Sequence, residues 1–119
     1  MLYLPPAAWR GLFWVAVVAG VVLALWPVQP QQDQWFAHAD KLKHLVAFAA
    51  LLMLGTRAGF RAWPALALGL LALGAAIEVA QGFTPTRTAG LGDWLADAAG
   101  IACGLFVERA RRGRSLSQP

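Results

Sequence analysis

The sequence has few of the residues that a water-soluble protein needs. Only 13% of its 119 residues are charged, and Asp and Glu together number 6, whereas 59% of the residues are hydrophobic. So few polar side chains cannot cover the surface of a soluble domain of this length. The composition therefore excludes an ordinary soluble globular domain and indicates a lipid environment.

Cysteine and serine are scarce where several kinds of chemistry would need them. Cys103 is the only cysteine, so the chain can form neither an internal disulfide nor a zinc site built on cysteine pairs. No serine lies within an apolar segment, which argues against a serine nucleophile. The net charge of +4 comes from basic residues at the ends of apolar segments, so we expect no nucleic-acid partner.

The chain instead has four apolar segments whose lengths suit a lipid bilayer. A helix that crosses a hydrocarbon core of about 30 Å needs roughly 17 to 25 mostly apolar residues. We predict spans at 9–26, 41–56, 63–83 and 89–107, joined by short loops and followed by a basic tail at 108–119. The expected fold is all-α: one domain, residues 1–119, forming an integral membrane bundle of four transmembrane helices.

The positions of Lys and Arg predict the orientation of the spans, because positively charged flanks stay in the cytoplasm. One set of span ends holds Arg10, Arg57, Arg61, Arg109, Arg111, Arg112 and Arg114, and the other holds Lys41, Lys43 and Arg87. Both termini are therefore expected in the cytoplasm. The predicted location is a bacterial cytoplasmic membrane, crossed several times.

Polar side chains within the spans are the main functional signal. An ionisable group inside a span costs about 2.5 to 3.5 kcal/mol, so it usually faces another helix, a polar cavity or a ligand. Three spans carry polar groups near their outer ends: Asp40, His44, Glu78, Gln81, Asp93 and Asp97. Of these, His44, Glu78, Asp93 and Asp97 fall within roughly three helical turns of the outer surface. This convergence predicts a shared polar pocket between the second, third and fourth spans that opens outward.

Several of these residues lie in short motifs that resemble the VanZ-like family. The motifs are DKLKH at 40–44, EVAQ at 78–81, PTR at 85–87, Asp93, and GIACG at 100–104. The resemblance covers about residues 38–106 and implies a small multi-span membrane protein, linked through its founding member to resistance against the glycopeptide teicoplanin. It does not imply a catalytic activity. The chain departs from the family at Asp97, where Asn is usual, and this adds a negative charge to the expected pocket.

We therefore predict recognition of a lipid-linked or amphiphilic molecule of the cell envelope. Candidate ligands are an isoprenoid-phosphate cell-wall precursor or a lipoglycopeptide antibiotic, and membrane lipids are expected partners. Lys41 and Arg87 would bind a phosphate, because a cationic pair beside a helix N-terminus suits that anion. The expected ligand-binding residues are Asp40, Lys41, His44, Glu78, Gln81, Arg87, Asp93 and Asp97.

Two alternatives remain open. The protein could be an enzyme that acts on a lipid phosphate headgroup, with Glu78 and His44 as acid and base. It could also be a structural helper subunit of an envelope complex, in which Glu78 and Asp93 only neutralise Arg87 and hold the helices together. We expect no metal and no cofactor, since the group contains one His and no paired-ligand motif such as HExxH.

Two further positions predict structural roles. Gly100 and Gly104 form a small-xxx-small stripe that lets another helix approach closely, either within the chain or in a homodimer. Asp40, besides its place in the pocket, is expected to cap the N-terminus of the second span.

Overall fold

All regular secondary structure in the described part of the chain is helical. The computed structural model describes the backbone of residues 4–26, 34–84 and 90–117, and the side chains of 4–26, 39–84 and 90–114. Within these ranges the chain forms four helices and no strand: α1 Pro6–Leu25, α2 Gln34–Arg57, α3 Trp63–Gly82 and α4 Leu91–Ser117. The all-α prediction is confirmed.

Proline fixes where two of the helices begin. Pro6 opens α1 after Pro5, whose backbone is extended, and Pro64 lies in the first turn of α3. Both positions tolerate proline because the first amides of a helix have no intrahelical partner. At the other end of α3, the Phe83 amide donates to the Ala80 and Gln81 carbonyls. Thus α3 ends one residue before the span expected at 63–83.

The other two helices extend well beyond the spans expected for them. No Pro or Gly interrupts residues 34–40, so α2 begins at Gln34 and Asp40 lies inside it. The prediction that Asp40 caps this helix was wrong. Similarly, α4 continues through most of the expected basic tail to Ser117, and Glu108 in that extension is only 4% exposed.

The most extensive helix contact joins α2 and α4. A Cβ added to Gly100 would overlap the Leu45 carbonyl of α2, and one added to Gly104 would lie 2.9 Å from the Ala49 carbonyl oxygen. The close approach predicted for the glycine stripe therefore takes place between two helices of the same chain. A homodimer stays a prediction.

The buried core runs along the middle of the bundle. Its large members come from all four helices: Phe13, Phe48, Leu51, Leu52, Leu66, Leu70, Ile77 and Ile101. Among the described residues, α1 packs on α2 and α3 and has no substantial contact with α4. The helices α2, α3 and α4 therefore position the polar residues discussed below.

Two of the four helices, α1 and α3, are long and apolar enough to cross a membrane, judged by length and composition in the described part of the chain. Only 6% of the apolar window of α1 and 33% of that of α3 is buried inside the protein. Exposed apolar side chains occur on every helix, among them Val15, Val18, Leu23, Leu42, Val46, Leu68, Val79, Leu95 and Phe106. So much exposed apolar surface calls for lipid or a partner to cover it.

Candidate functional site

One end of the bundle gathers six ionisable side chains, which we call the acidic cluster. They come from three helices: Asp40, Lys41 and His44 on α2, Glu78 on α3, and Asp93 and Asp97 on α4. At the centre, His44 Nδ1 lies 2.7 Å from Asp97 Oδ1. Asp97 is 1% exposed, so this contact fixes the imidazole against a carboxylate that water hardly reaches.

The outer part of the cluster is half open to solvent. His44 Nε2 lies 3.7 Å from Asp40 Oδ2, one turn earlier on α2, and the Asp40 side chain is 41% exposed. Lys41 Nζ lies 3.7 Å from Asp93 Oδ1, with exposures of 49% and 14%. An ion pair this exposed adds little stability. These outer residues are therefore available to a ligand at modest cost.

Glu78 closes the cluster from the side of α3. Its Oε2 accepts a hydrogen bond of 2.8 Å from the Gly90 amide, which ties the start of α4 to the end of α3. Its Oε1 is buried and has no hydrogen-bond partner among the described residues, and the same holds for Asp97 Oδ2. Two buried acceptors therefore lack donors in the described part of the cluster.

Gly74 makes room for Asp97, a role that the sequence interpretation missed. A Cβ at Gly74 would lie 2.7 Å from Asp97 Oδ2. Gly74 lies four residues before Glu78 and so on the same face of α3. That spacing was the available signal. Gly92 similarly lies beside the Lys41 side chain, where a Cβ would be 3.1 Å from Cε.

Gln81 was expected to bind the ligand, but its amide makes a contact between helices. Its Nε2 donates to the Ala24 carbonyl of α1 at 2.8 Å, and the side chain is 2% exposed. Its Oε1 is buried and unpartnered among the described residues. Arg87, which was expected to bind a phosphate together with Lys41, lies outside the described residues.

An open groove runs between α3 and α4 beside the cluster. Its volume is about 610 Å³, within the range of pockets for small molecules. The lining residues are Ala75, Glu78, Val79, Gly82, Phe83, Gly90, Leu91 and Trp94. Trp94 is held by a 3.0 Å hydrogen bond from its Nε1 to the Leu71 carbonyl. The groove is therefore apolar along its walls and polar only at Glu78 and the backbone beside it.

The cluster also brings together groups that could hold a metal ion. His44, Glu78 and Asp97 each offer a donor atom, and these atoms lie within 4.8 Å of one another. Asp40, His44 and Asp93 form a second such group that shares the histidine. The chemistry available is thus that of carboxylates and one imidazole: accepting hydrogen bonds, moving a proton or coordinating a cation.

The opposite end of the bundle is basic and structural in character. Glu108 Oε2 accepts a 3.0 Å hydrogen bond from Arg111, and its Oε1 lies 3.8 Å from Arg57. The guanidinium of Arg57 also stacks over Trp9 at 5.3 Å. These contacts join α1, α2 and α4.

The comparisons with known proteins bear on the family alone. No curated protein and no solved structure matches the chain. The family described as VanZ/LLP1 matches over residues 4–111, which include all four helices apart from the end of α4. The match covers the acidic cluster, the groove and both glycines of the α2–α4 crossing. It confirms the resemblance first based on short motifs, and the chain belongs to the VanZ/LLP1 family.

Proposed function

We propose that this protein recognises an amphiphilic molecule of the cell envelope, with the apolar part in the groove between α3 and α4 and the polar part at the acidic cluster. A lipid-linked cell-wall precursor or a lipoglycopeptide fits this description. One observation carries the proposal: the apolar groove ends at Glu78, whose buried Oε1 has no donor among the described residues. A ligand that lies in the groove would contact Glu78, which belongs to both the groove wall and the acidic cluster.

The walls of the groove suit an acyl or isoprenoid chain. Phe83 is 87% exposed and Leu91 is 71% exposed, so both side chains are open to an apolar ligand or to the bilayer. In a membrane, such a groove is reached from the lipid phase without desolvating polar groups. The hydrophobic driving force for entry is then small, and shape and the polar end decide which lipid stays.

The polar end favours a headgroup that donates hydrogen bonds. Glu78 and Asp97 each bury an oxygen without a donor in the described part of the cluster, and leaving such an oxygen unpaired costs about 1 to 3 kcal/mol. Hydroxyl, amide or ammonium groups of a sugar or peptide headgroup would supply the donors. A phosphate would need Lys41, which is half exposed, and Arg87.

The proposal includes a membrane placement. We propose that all four helices cross the bilayer, with the acidic cluster near the outer surface and the arginines of the other end in the cytoplasm. The exposed apolar residues on all four helices support this placement, as does the positive-inside rule applied to the basic end. The groove would then open into the outer leaflet.

The test is native mass spectrometry of the protein purified in mild detergent from its own membranes. Wild type is compared with Glu78→Gln, which keeps the size of the side chain but removes its charge and one acceptor. The matched control is Glu108→Gln, the same change at a buried glutamate of the opposite end. We expect an envelope lipid to co-purify with wild type and Glu108→Gln and to be lost from Glu78→Gln.

Other outcomes separate the alternatives. If all three proteins carry only bulk phospholipid at equal folded yield, the proposal is wrong. A lower folded yield of Glu78→Gln, with no change in bound lipid, would favour the structural helper subunit. Loss of the lipid from Arg87→Ala as well would identify a phosphate as part of the headgroup.

A second function is supported by the His44–Asp97 pair. A carboxylate bonded to one imidazole nitrogen orients the ring and can support its action as a base at the other nitrogen. Turnover of a lipid phosphate headgroup by wild type, abolished in His44→Gln and Glu78→Gln, would select the enzyme. Absence of turnover on lipids shown to bind would reject it.

A role in teicoplanin resistance is a proposal that rests on the family alone. It is tested by comparing the teicoplanin susceptibility of cells that express wild type with that of cells expressing Glu78→Gln at equal membrane levels. A protective effect of wild type that Glu78→Gln loses supports the role, and equal susceptibility of both strains and an empty-vector strain contradicts it.

A further inference from the structure

The centre of the acidic cluster holds no Lys or Arg side chain in the described part of the chain, and His44 is the one basic group there. Asp97 and Glu78 are 1% and 9% exposed, and each buries one carboxylate oxygen without a partner there. Each carboxylate has one hydrogen bond through its other oxygen, with His44 and with the Gly90 amide, but the second oxygen is buried without a donor, which is unfavourable. Lys41 does not neutralise them directly, because its ion-pair partner is Asp93, nearer the surface. A proton or a cation must therefore balance the buried carboxylates.

The positions of the donor atoms favour a metal ion for this role. His44, Glu78 and Asp97 come from three different helices, and their donor atoms lie within 4.8 Å of one another. Ligands of a tetrahedral zinc site, each about 2.0 to 2.1 Å from the metal, lie roughly 3.3 Å apart. The three groups thus need to close by at most about 1.5 Å to reach coordinating distance.

The donor types select the class of ion. One imidazole nitrogen with two carboxylates suits Zn²⁺ and similar transition metals, whereas Ca²⁺ and Mg²⁺ prefer oxygen donors alone. Three protein ligands also leave a fourth coordination position for water or a ligand. The overlapping group of Asp40, His44 and Asp93 is less suited, because Asp40 is 41% exposed and Asp93 already faces Lys41.

We propose that His44, Glu78 and Asp97 bind one divalent transition-metal ion of the Zn²⁺ class and that the ion joins α2, α3 and α4 at the acidic cluster. The sequence alone did not predict this site, because its ligands are far apart along the chain and only one is a histidine. Gly74 contributes by leaving space for the Asp97 carboxylate against α3. The site shares Glu78 and Asp97 with the proposed headgroup site, but only this chain's own side chains form it, so titration with Zn²⁺ in the absence of added lipid tests it separately.

The experiment uses the full chain in mild detergent, freed of metal with a chelator and then titrated with Zn²⁺ alone. We expect about one Zn²⁺ to remain per chain after gel filtration, measured by elemental analysis, and Co²⁺ to give the visible absorption of a tetrahedral site. Glu78→Gln and Asp97→Asn should each weaken Zn²⁺ binding by at least about tenfold, because even loss of a supporting group costs 10- to 100-fold in affinity.

Two matched controls decide whether the ion lies where we propose. Glu108→Gln, at the other end of the bundle, should keep wild-type Zn²⁺ affinity, whereas Asp40→Asn, whose carboxylate lies 3.7 Å from His44 Nε2, should lose less affinity than Glu78→Gln. If Asp40→Asn loses binding while Glu78→Gln keeps it, the ion belongs to the outer group and the proposal is overturned. Equal affinity in all variants would also overturn it.

A second measurement, the unfolding midpoint with and without Zn²⁺, tests the site even if the variants of its ligands fold poorly. Zn²⁺ should raise the unfolding midpoint of wild type and of Arg87→Ala, because binding to the folded state alone stabilises it. If Zn²⁺ neither binds wild type nor raises its unfolding midpoint, the proposal is wrong. If Arg87→Ala then also unfolds much more readily than wild type, Arg87 supplies the positive charge that balances the buried carboxylates.

Discussion

Replacing Gly74 with alanine tests how tightly Asp97 is held in the acidic cluster. The new Cβ would lie 2.7 Å from Asp97 Oδ2 and 3.4 Å from its Cγ. Close contacts between carbon and oxygen are usually about 3.3 Å or longer. The carboxylate must therefore move by about 0.6 Å, or α3 must shift away from α4.

The cost of that movement follows from the surroundings of Asp97. The side chain is 1% exposed and bonded to His44 at 2.7 Å, so it cannot move without weakening this bond. A hydrogen bond to a charged group contributes about 1.5 to 3 kcal/mol, and alanine favours a helix over glycine by about 0.8 to 1 kcal/mol. We therefore expect Gly74→Ala to lower the free energy of unfolding by about 0.5 to 2 kcal/mol.

Gly69 provides a control on the same helix. A Cβ there would meet nothing within 4 Å, so Gly69→Ala should raise the free energy of unfolding by up to about 1 kcal/mol. Both variants are compared by reversible unfolding in SDS, and the ring ¹⁵N signals of His44 report its bond to Asp97. Equal stability of the two variants, with unchanged His44 signals, would refute the reasoning.

Three further predictions concern packing and membrane placement. Gly100→Ala should sharply reduce the fraction that elutes as folded protein in gel filtration, because its Cβ overlaps the Leu45 carbonyl, whereas Gly113→Ala should behave like wild type. Trp94→Phe should cost about 1 kcal/mol in SDS unfolding through loss of its bond to the Leu71 carbonyl, more than Trp14→Phe, whose side chain is 55% exposed. Cys103, exposed on α4, should resist a charged maleimide in intact membranes and react after SDS is added, and rapid labelling of intact membranes would place this face of α4 in water.

Much of the fold could be predicted from apolar blocks and prolines. The bounds of α3 follow from Trp63, Pro64 and the turn after Gly82, all of which act locally. The extents of α2 and α4 could not be predicted in the same way, because the hydrophobic pattern identifies only the apolar part of each helix. The first residues of α2 and the last residues of α4 include many polar side chains and contain no proline, so the helices continue through them. Glu108 is buried there and contacts Arg57 and Arg111.

The site was partly predictable because the rise per residue of a helix determines how far each side chain lies from the end of its span. The depth estimate grouped His44, Glu78 and Asp97, and the structure places them within reach of one another. Spacing along a helix says little about which atoms meet across helices. The bond from Gln81 to the Ala24 carbonyl and the space beside Gly74 depend on how α1 and α4 pack on α3.

The bond from Gln81 to α1 has a consequence for how the sequence can vary. Its acceptor is a main-chain carbonyl, which every amino acid carries, so the bond does not depend on the side chain at position 24. Much of the remaining surface of α1 is apolar and exposed. The first helix can therefore exchange most of its side chains over evolutionary time and still dock in the same place. Homologues should then differ most in this helix, while the glutamine that holds it is retained.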